Sequence, residues 1–191
     1  MTPAQGALII VPEPTNRQVT MKIKTFVLAA FAVLGSSQIF AQAAPVVAVD
    51  DPESLFVDSN PALNRNKQAA LHIMRELLQC RQWSRAAEWL TERYIQHNPS
   101  FASGRDTVVQ AFSRVPAVEN CGKLTTGVVA VVTDSDKVAV VTRRELPNPN
   151  VAGQTYTTIW VDMWRFVDGK ADEHWDTATI NPAPTGGRAG N

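Results

Sequence analysis

The second half of the chain is a series of apolar runs separated by turn residues. Residues 124–146 contain two β-branched runs on either side of a turn at 134–136, and this pattern is typical of a β-hairpin. Residues 155–180 repeat the pattern around the Asp-Gly pair at 168–169, which is a second hairpin signal. The pattern therefore predicts an antiparallel meander in this half of the chain.

The segment before the meander has the period and the boundary signals of helices. Asn60 is a suitable cap for a first helix that begins at Pro61. A second helix is predicted over residues 84–96 and a third, short one over residues 104–114. Helices followed by a meander predict an α+β fold, in which the helices pack on one face of a curved antiparallel sheet.

The predicted strand over residues 158–166 is apolar on both of its faces. Successive side chains of a strand point to opposite faces of the sheet. The even-numbered residues from Thr158 to Phe166 would therefore form one face, and Ile159, Val161 and Met163 would lie on the other. One face can pack under the helices, whereas the other needs a different cover. A second copy of the chain could supply that cover, so the pattern predicts a homodimer.

Three polar side chains interrupt the last two predicted strands. Asp162, His174 and Asp176 lie among tryptophans and valines, where a charged group is costly unless it has a partner or a function. A positioned carboxylate with a neighbouring imidazole suits the removal of a proton beside a carbonyl group. The same histidine and carboxylate could instead form a structural pair.

The turn at residues 168–169 decides which face each polar group occupies. A two-residue turn directs His174 away from Asp162. A three-residue loop over residues 167–169 pairs the two and brings all three polar groups to one face. We predict the three-residue loop, because Gly169 permits the left-handed conformation that it needs.

Charge and composition exclude several functional classes. Lys+Arg and Asp+Glu each number 18, so the basic excess of a nucleic-acid-binding protein is missing. The sequence has no GxGxxG motif, no P-loop and no CxxC pair. A metal site built from His97, His174 and a carboxylate has no ligand spacing to support it. We therefore expect no cofactor, no metal and no nucleic acid.

The N-terminal region has the order of a targeting signal. Residues 21–43 run from two lysines through a short apolar stretch to Ala-Gln-Ala, which is typical of a secretory signal peptide and too short for a membrane span. Residues 1–20 show no feature of a targeting signal, so we expect translation to start at Met21. The expected division is an extension over residues 1–20, the signal peptide over 21–43, an exposed lead-in over 44–60, the domain over 61–181 and a flexible tail over 182–191.

Export to the periplasm or the medium has a consequence for the two cysteines. In an oxidising compartment Cys80 and Cys121 could form a disulfide, although two separate buried thiols would also fit the sequence. After removal of the signal peptide, we expect no contact with the membrane.

Two stretches together resemble a known family. Residues 94–112 (YIQHNPSFASGRDTVVQAF) and 161–176 (VDMWRFVDGKADEHWD) are similar to the SnoaL-like group of the NTF2-like superfamily, over roughly residues 62–181. The resemblance implies a cone-shaped α+β barrel, in which a curved antiparallel sheet wraps on N-terminal helices around a deep pocket. It also implies a frequent dimer through the outer face of the sheet.

The resemblance also implies a reaction class. Family members include polyketide cyclases that close a ring by aldol condensation, and related branches are ketosteroid isomerases, dehydratases and epoxide hydrolases. Asp176 resembles the acid/base residue of the cyclases, whereas their pocket histidine falls where this chain has Asp162. The interpretation is cofactor-free acid/base catalysis on a small apolar carbonyl compound, by aldol-type cyclisation, isomerisation or related lyase chemistry.

The expected site follows from both arguments, and other interpretations stay open. His97 could contact the substrate or only end the second helix, and the tryptophans could be core. The alternatives to an enzyme are a non-catalytic protein that binds a small apolar ligand and a structural dimerisation module. The candidate residues are Asp176, Asp162 and His174 for catalysis, and His97, Tyr94, Trp160 and Trp164 for substrate binding.

Overall fold

A computed structural model describes Gln42 and residues 44–180 of the chain. The predicted extension over 1–20, the tail over 182–191 and all of the predicted signal peptide except Gln42 lie outside the described residues. Within the described residues, no helix is both long enough and apolar enough to cross a bilayer.

Short helical segments precede the sheet. The side chain of Asn60 caps the first helix, Pro61–His72, by accepting hydrogen bonds from the backbone N–H groups of Ala62 and Leu63, as the sequence predicted. The last part of this helix has π-helical geometry, which is rare in proteins and frequent near functional sites. The segments are a 3-10 turn at Pro52–Phe56, α1 at Pro61–His72, the π-helical stretch Ile73–Gln79, a 3-10 turn at Trp83–Arg85, α2 at Ala86–Trp89 and α3 at Arg105–Phe112.

The second predicted helix is wrong over most of its length. Only Ala86–Trp89 is α-helical, and the following Leu90–Gln96 is a strand, β1. β1 pairs in parallel with the last strand of the chain. The segment contains Thr91, Tyr94 and Ile95, whose β-branched and aromatic side chains suit a strand. The partner strand lies about 80 residues away in sequence, so local periodicity could not reveal the pairing.

The predicted meander is confirmed and forms most of the sheet. Five strands lie in the order β1-β5-β4-β3-β2, and the sheet is curved and not closed. The expected α+β class, with a curved sheet packed on helices, is therefore confirmed. The strands of the meander are β2 at Val128–Asp134, β3 at Lys137–Pro147, β4 at Thr155–Val167 and β5 at Lys170–Asp176.

The turn between β4 and β5 contains two residues. Asp168 and Gly169 have φ angles of 51° and 79°, and Val167 pairs with Lys170. Two successive left-handed residues are the mark of a tight hairpin turn, for which Asp-Gly is a favoured pair. The predicted three-residue loop is therefore wrong, because the aspartate also adopts the left-handed conformation.

A β-bulge in β5 nevertheless turns the polar groups to one face. Asp172 is an extra residue in β5, since Ala171 and Glu173 pair with consecutive residues of β4. An extra residue shifts the alternation of every later side chain in the strand. The bulge thus reverses the effect of the short turn. The pairs beyond it are Arg165 with Glu173, Trp164 with His174, Met163 with Trp175 and Asp162 with Asp176.

The main core lies between the helices and the concave face of the sheet. Burying each large apolar side chain of this kind contributes about 1.5–3 kcal/mol. The predicted lead-in over residues 44–60 is only partly exposed, because its last aromatic residue joins this core. Fully or almost fully buried side chains are Phe56, Leu77, Val138, Val140 and Trp164.

The two cysteines of the sequence form a disulfide. Cys80 follows the π-helical stretch, and Cys121 lies in the segment before β2, with 5.8 Å between their Cα atoms. The bond closes a loop across 41 positions of the sequence. The pairing that export would allow is therefore present in the structure.

Candidate active site

A cavity of about 720 Å³ lies between the helices and the concave face of the sheet. This volume is within the range of ordinary small-molecule sites. One side of the cavity is apolar, and the other is formed by side chains of β1, β3, β4 and β5. The apolar side includes Ile73, Met74 and Leu77 of the helical region with Val108 and Phe112 of α3.

Three titratable groups meet at the polar end of this cavity. Asp162, His174 and Asp176 all line it, and each has a charged or basic atom within 4.8 Å of the others. The Nε2 atom of His174 lies 3.2 Å from Oδ1 of Asp162. The expected convergence is thus present, although it depends on the bulge and not on the predicted loop.

The hydrogen bonds of His174 define where its protons lie. Nδ1 is 2.7 Å from Oε1 of Gln96, and that oxygen also accepts a hydrogen bond from the backbone N–H of Asn98. Because the oxygen can only accept, Nδ1 must carry a proton. Nε2 lies 3.2 Å from the carboxylate of Asp162. The imidazole and Asp162 therefore form one hydrogen-bonding pair in the cavity.

Asp176 has a different environment from Asp162. Its Oδ2 accepts a hydrogen bond of 2.6 Å from Nδ2 of Asn98, and its Oδ1 accepts one of 2.9 Å from the backbone N–H of Ala178. Within the described residues, no cation forms an ion pair with Asp176. Each oxygen keeps a free lone pair for a ligand, so Asp176 is a negative charge that remains available in the cavity.

Tyr94 presents a hydroxyl group to the same cavity. The side chain is buried, and its oxygen accepts a hydrogen bond of 3.1 Å from Nε1 of Trp164. Burial raises the pKa of Tyr94, and the negative charges of Asp162 and Asp176 raise it further. The phenol therefore stays protonated at neutral pH, and its O–H can donate to an oxygen of a ligand.

Trp160 and Trp164, both expected to bind substrate, line the cavity in different ways. Trp164 is almost fully buried and is part of the core as well as of the cavity wall. Trp160 is partly exposed and donates a hydrogen bond of 3.2 Å from Nε1 to Oδ1 of Asp162. The same carboxylate oxygen therefore contacts both Trp160 and His174.

A family model described as a SnoaL-like domain matches residues 72–174, which is more than half of the chain. The chain belongs to the SnoaL-like domain family. The match includes β1, α3 and most of the β4–β5 hairpin, and so confirms the resemblance seen in the sequence. A search of curated proteins found no match.

Several solved structures are similar to this SnoaL-like chain. A candidate SnoaL-like polyketide cyclase from Jannaschia sp. CCS1 is 18% identical, with a TM-score of 0.44, and the match covers 63% of this chain and 91% of that one. An NTF2-like protein of unknown function from Burkholderia pseudomallei K96243 is 19% identical, with a TM-score of 0.41 and coverages of 59% and 88%. An LEH-like epoxide hydrolase from M. tuberculosis is 12% identical, with a TM-score of 0.42 and coverages of 59% and 80%.

His97 does not line the cavity of this SnoaL-like domain, so the structure does not bring it together with the other candidate residues. Its ring stacks on Trp175 at 4.6 Å between centroids, and its Nε2 lies 3.1 Å from Oε2 of Glu173. The reason is strand parity, since Gln96 faces the cavity and the next residue faces the other side of the sheet.

Two residues of the site were missed at the level of sequence. Gln96 orients His174, and Asn98 orients both Gln96 and Asp176. Both flank the histidine of the YIQHNP stretch that carried the family resemblance. A helical assignment hid their role, because only a strand places alternate side chains on one face.

A second charged cluster lies on β5, outside the cavity. Asp172, the bulge residue, accepts hydrogen bonds of 2.9 Å from Nε of Arg93 and 2.8 Å from Oγ1 of Thr91, and it also pairs with Arg165. The hydrogen bonds from Arg93 hold the pKa of Asp172 below its ordinary value, against the opposing effect of burial, with help from Thr91 and Arg165. The cluster fixes the bulge that places His174.

The site also has the composition of a metal-binding group. Two carboxylates and an imidazole are ordinary ligands of divalent transition metals, and the three groups of this SnoaL-like domain are close enough to serve as such. The sequence-based expectation that no metal is needed remains a prediction.

Proposed function

We propose that this SnoaL-like protein is an enzyme that removes and returns a proton beside the carbonyl group of a small apolar compound, without a cofactor. The observation that carries the proposal is the meeting of Asp162, His174 and Asp176 within 4.8 Å at one end of an apolar cavity. Acid/base chemistry needs a base and a proton donor in one desolvated site, and the cavity offers both.

The hydrogen bonds support separate roles for the two carboxylates. Asp176 is the base, because it is held by the neutral donors Asn98 and Ala178 and shares its charge with no cation among the described residues. Asp162 and His174 together hold one proton, which they can give to the reacting molecule. A base and an acid of this kind allow a proton to leave one atom and return to another, as isomerisation and aldol-type cyclisation both require.

The negative charge that develops on the carbonyl oxygen needs a donor of its own. The O–H of Tyr94 supplies one. Its oxygen accepts from Trp164, so its own proton remains available for a hydrogen bond to the ligand. A preorganised donor in a cavity of low polarity stabilises such an oxyanion more strongly than water does. Tyr94, one of the predicted substrate-binding residues, is therefore the proposed donor to that oxygen.

Export is the second part of the proposal. Residues 21–43 have the order of a signal peptide, and the disulfide between Cys80 and Cys121 fits an oxidising compartment. We therefore propose that the domain works in the periplasm or outside the cell. Mass spectrometry of the mature protein tests this, since a first residue of Ala44 is expected and a mature chain that retains residues 21–43 would contradict it.

Proton exchange tests the reaction without knowledge of the natural substrate. The protein is incubated with a panel of apolar cyclic ketones and 1,3-diketones in D₂O, and loss of the α-proton signals is followed by NMR. We expect exchange above the buffer rate for compounds that fit the cavity. Asp176→Asn should lower that rate by roughly 100-fold or more without loss of the fold.

The matched control is Asp106→Asn on the exposed first turn of α3, which should leave exchange unchanged. A panel in which ligands bind but none exchanges faster than in buffer would refute the enzyme and favour a protein that only binds. Equal exchange by wild type and Asp176→Asn would refute the assignment of the base.

A further inference from the structure

Arg144 brings a positive charge to the cavity wall, one indole ring away from Asp162. It lies on β3 opposite Thr158 of β4 and lines the cavity. Its guanidinium carbon is 4.3 Å from the ring centroid of Trp160. An arginine over the face of an indole ring is held by a cation–π interaction, so the charge has a defined position beside the cavity even though the residue is exposed.

This guanidinium has no anionic partner within the described residues. The neighbouring Arg143 differs, since it donates to the backbone oxygen of Val46 and pairs with Glu145. Glu145 in turn also accepts from Thr155, so its charge is already engaged. No carboxylate of the described part of the chain lies within ion-pair distance of Arg144, and its donors are free to bind an external anion.

The cavity wall therefore carries opposite charges at its two ends. The carboxylates of Asp162 and Asp176 lie at one end. The guanidinium lies at the other, over the ring of Trp160. An anionic group would be repelled from the first end and attracted to the second. The charges thus favour a ligand that carries an anion at one end only, and they also set its direction.

The spacing of the two charged groups follows from Trp160, which lies two residues before Asp162 on β4. The guanidinium of Arg144 lies over its ring and Asp162 accepts from its Nε1, so a single indole ring separates the two charges. An apolar molecule would lie along this ring, with one polar group at the guanidinium of Arg144 and the other at the carboxylate of Asp162.

We propose that the cavity takes apolar carboxylates, whose carboxylate binds Arg144 on one side of Trp160 and whose carbonyl group lies at the Asp162–His174–Asp176 group on the other. A guanidinium matches a carboxylate well, because it can donate two parallel hydrogen bonds to its two oxygens. The direction of the bound molecule rests on the proposed acid/base function. The anchor at Arg144 rests on the unpaired charge and its position alone.

Binding of simple lipids tests the anchor. Saturated fatty acids from octanoate to tetradecanoate, and the alcohols of equal length, are titrated into the protein by calorimetry below their micelle concentrations. Affinity should rise with length until the chain spans the cavity, and each acid should bind more tightly than its alcohol. Arg144→Gln should weaken acid binding by roughly twofold to fivefold and leave alcohol binding unchanged.

Two further measurements separate this effect from a general loss of positive charge. Arg114→Gln, at an exposed position outside the cavity lining, should leave both affinities unchanged. The preference for acids should also shrink at high salt, because the anchor is close to solvent. Equal binding of acids and alcohols, an unchanged preference in Arg144→Gln, or no saturable binding of any acid would each overturn the proposal.

The outcome is independent of the test of the enzyme. If acids bind through Arg144 and no ketone exchanges protons, the carboxylate site stands and the catalytic function fails. If exchange occurs and acids show no preference, the reaction stands and its substrate is uncharged.

Discussion

Gln96 determines the orientation of the imidazole ring at the centre of the site. Its Oε1 faces Nδ1 of His174 at 2.7 Å, and the backbone N–H of Asn98 fixes the direction of the amide. A histidine is useful in proton transfer only when each nitrogen has a defined role. The hydrogen bond from Nδ1 to Gln96 holds the ring in place, and Nε2 stays available for proton exchange with Asp162.

Gln96→Leu tests this positioning at the level of one proton. We expect the Nδ1 proton of His174 to lose its acceptor, so that the ring no longer favours a single arrangement. Long-range ¹H–¹⁵N NMR of the imidazole measures the proton distribution on both nitrogens. His97→Gln, on the other side of the sheet, removes one of the other histidine signals and should leave the His174 spectrum unchanged. An unaltered His174 spectrum in Gln96→Leu would show that Gln96 is not the orienting group.

At the scale of the secondary-structure elements, the bulge at Asp172 sets which face the later side chains of β5 occupy. The carboxylate of Asp172 is held below its ordinary pKa by Arg93, with Thr91 and Arg165. A carboxylate whose pKa is lower in the folded than in the unfolded state stabilises the fold above the unfolded pKa of about 4. That stabilisation is lost as the pH falls through the lower, folded value.

Asp172→Asn should therefore lower the free energy of unfolding by about 2 kcal/mol at pH 7, since hydrogen bonds to a buried charged group are lost. The difference from wild type should shrink as the pH falls below 4. Urea unfolding at several pH values measures both effects. Glu88→Gln, whose carboxylate forms an exposed pair with Arg85, serves as the control and should show no measurable change. A pH-independent difference would exclude the charge of Asp172 as the cause.

The elements show what the sequence could and could not predict. The α1 cap, α3 and the meander were predictable, because Asn60, the β-branched runs and the turn residues act through near neighbours. β1 was not, since its strand conformation depends on a partner about 80 residues later. The hairpin gives a mixed case, in which the convergence of Asp162, His174 and Asp176 was expected. The bulge at Asp172 that brings them together was not expected, because it depends on side chains from another strand.

At the scale of the whole molecule, the disulfide constrains the unfolded chain. A bond that closes a loop of 41 positions is expected to stabilise the fold by about 4 kcal/mol through the unfolded state. Reductant should therefore lower the melting temperature by about 10 °C for a domain of this size. Calorimetry with and without reductant measures the shift.

A double substitution, Cys80→Ala with Cys121→Ala, provides the control for that experiment. It should melt near the temperature of the reduced protein and should not respond to reductant. Equal melting of oxidised and reduced wild type, with two thiols that titrate before reduction, would show that the bond is absent.

The outer face of the sheet is the other large-scale feature. Val132, Ala139, Met163 and Trp175 form a continuous row across four strands, and Ile159 nearby is 45% exposed. We propose that a second copy of the chain covers this surface. Sedimentation at micromolar concentration should show a dimer, and Ile159→Lys should shift it to monomer. Val115→Lys, at another exposed valine, should leave the dimer intact, and a monomeric wild type would refute the interface.

The π-helical stretch Ile73–Gln79 separates two properties that many sites combine. It contributes Met74 and Leu78 to the cavity wall, yet the groups that hold protons all lie on the strands. A library confined to this stretch could change which molecules fit while every distance among the titratable groups stayed fixed. For protein engineering, size selectivity and reactivity are therefore separate design variables in this scaffold, and the flexible side chain of Met74 is a natural first position to vary.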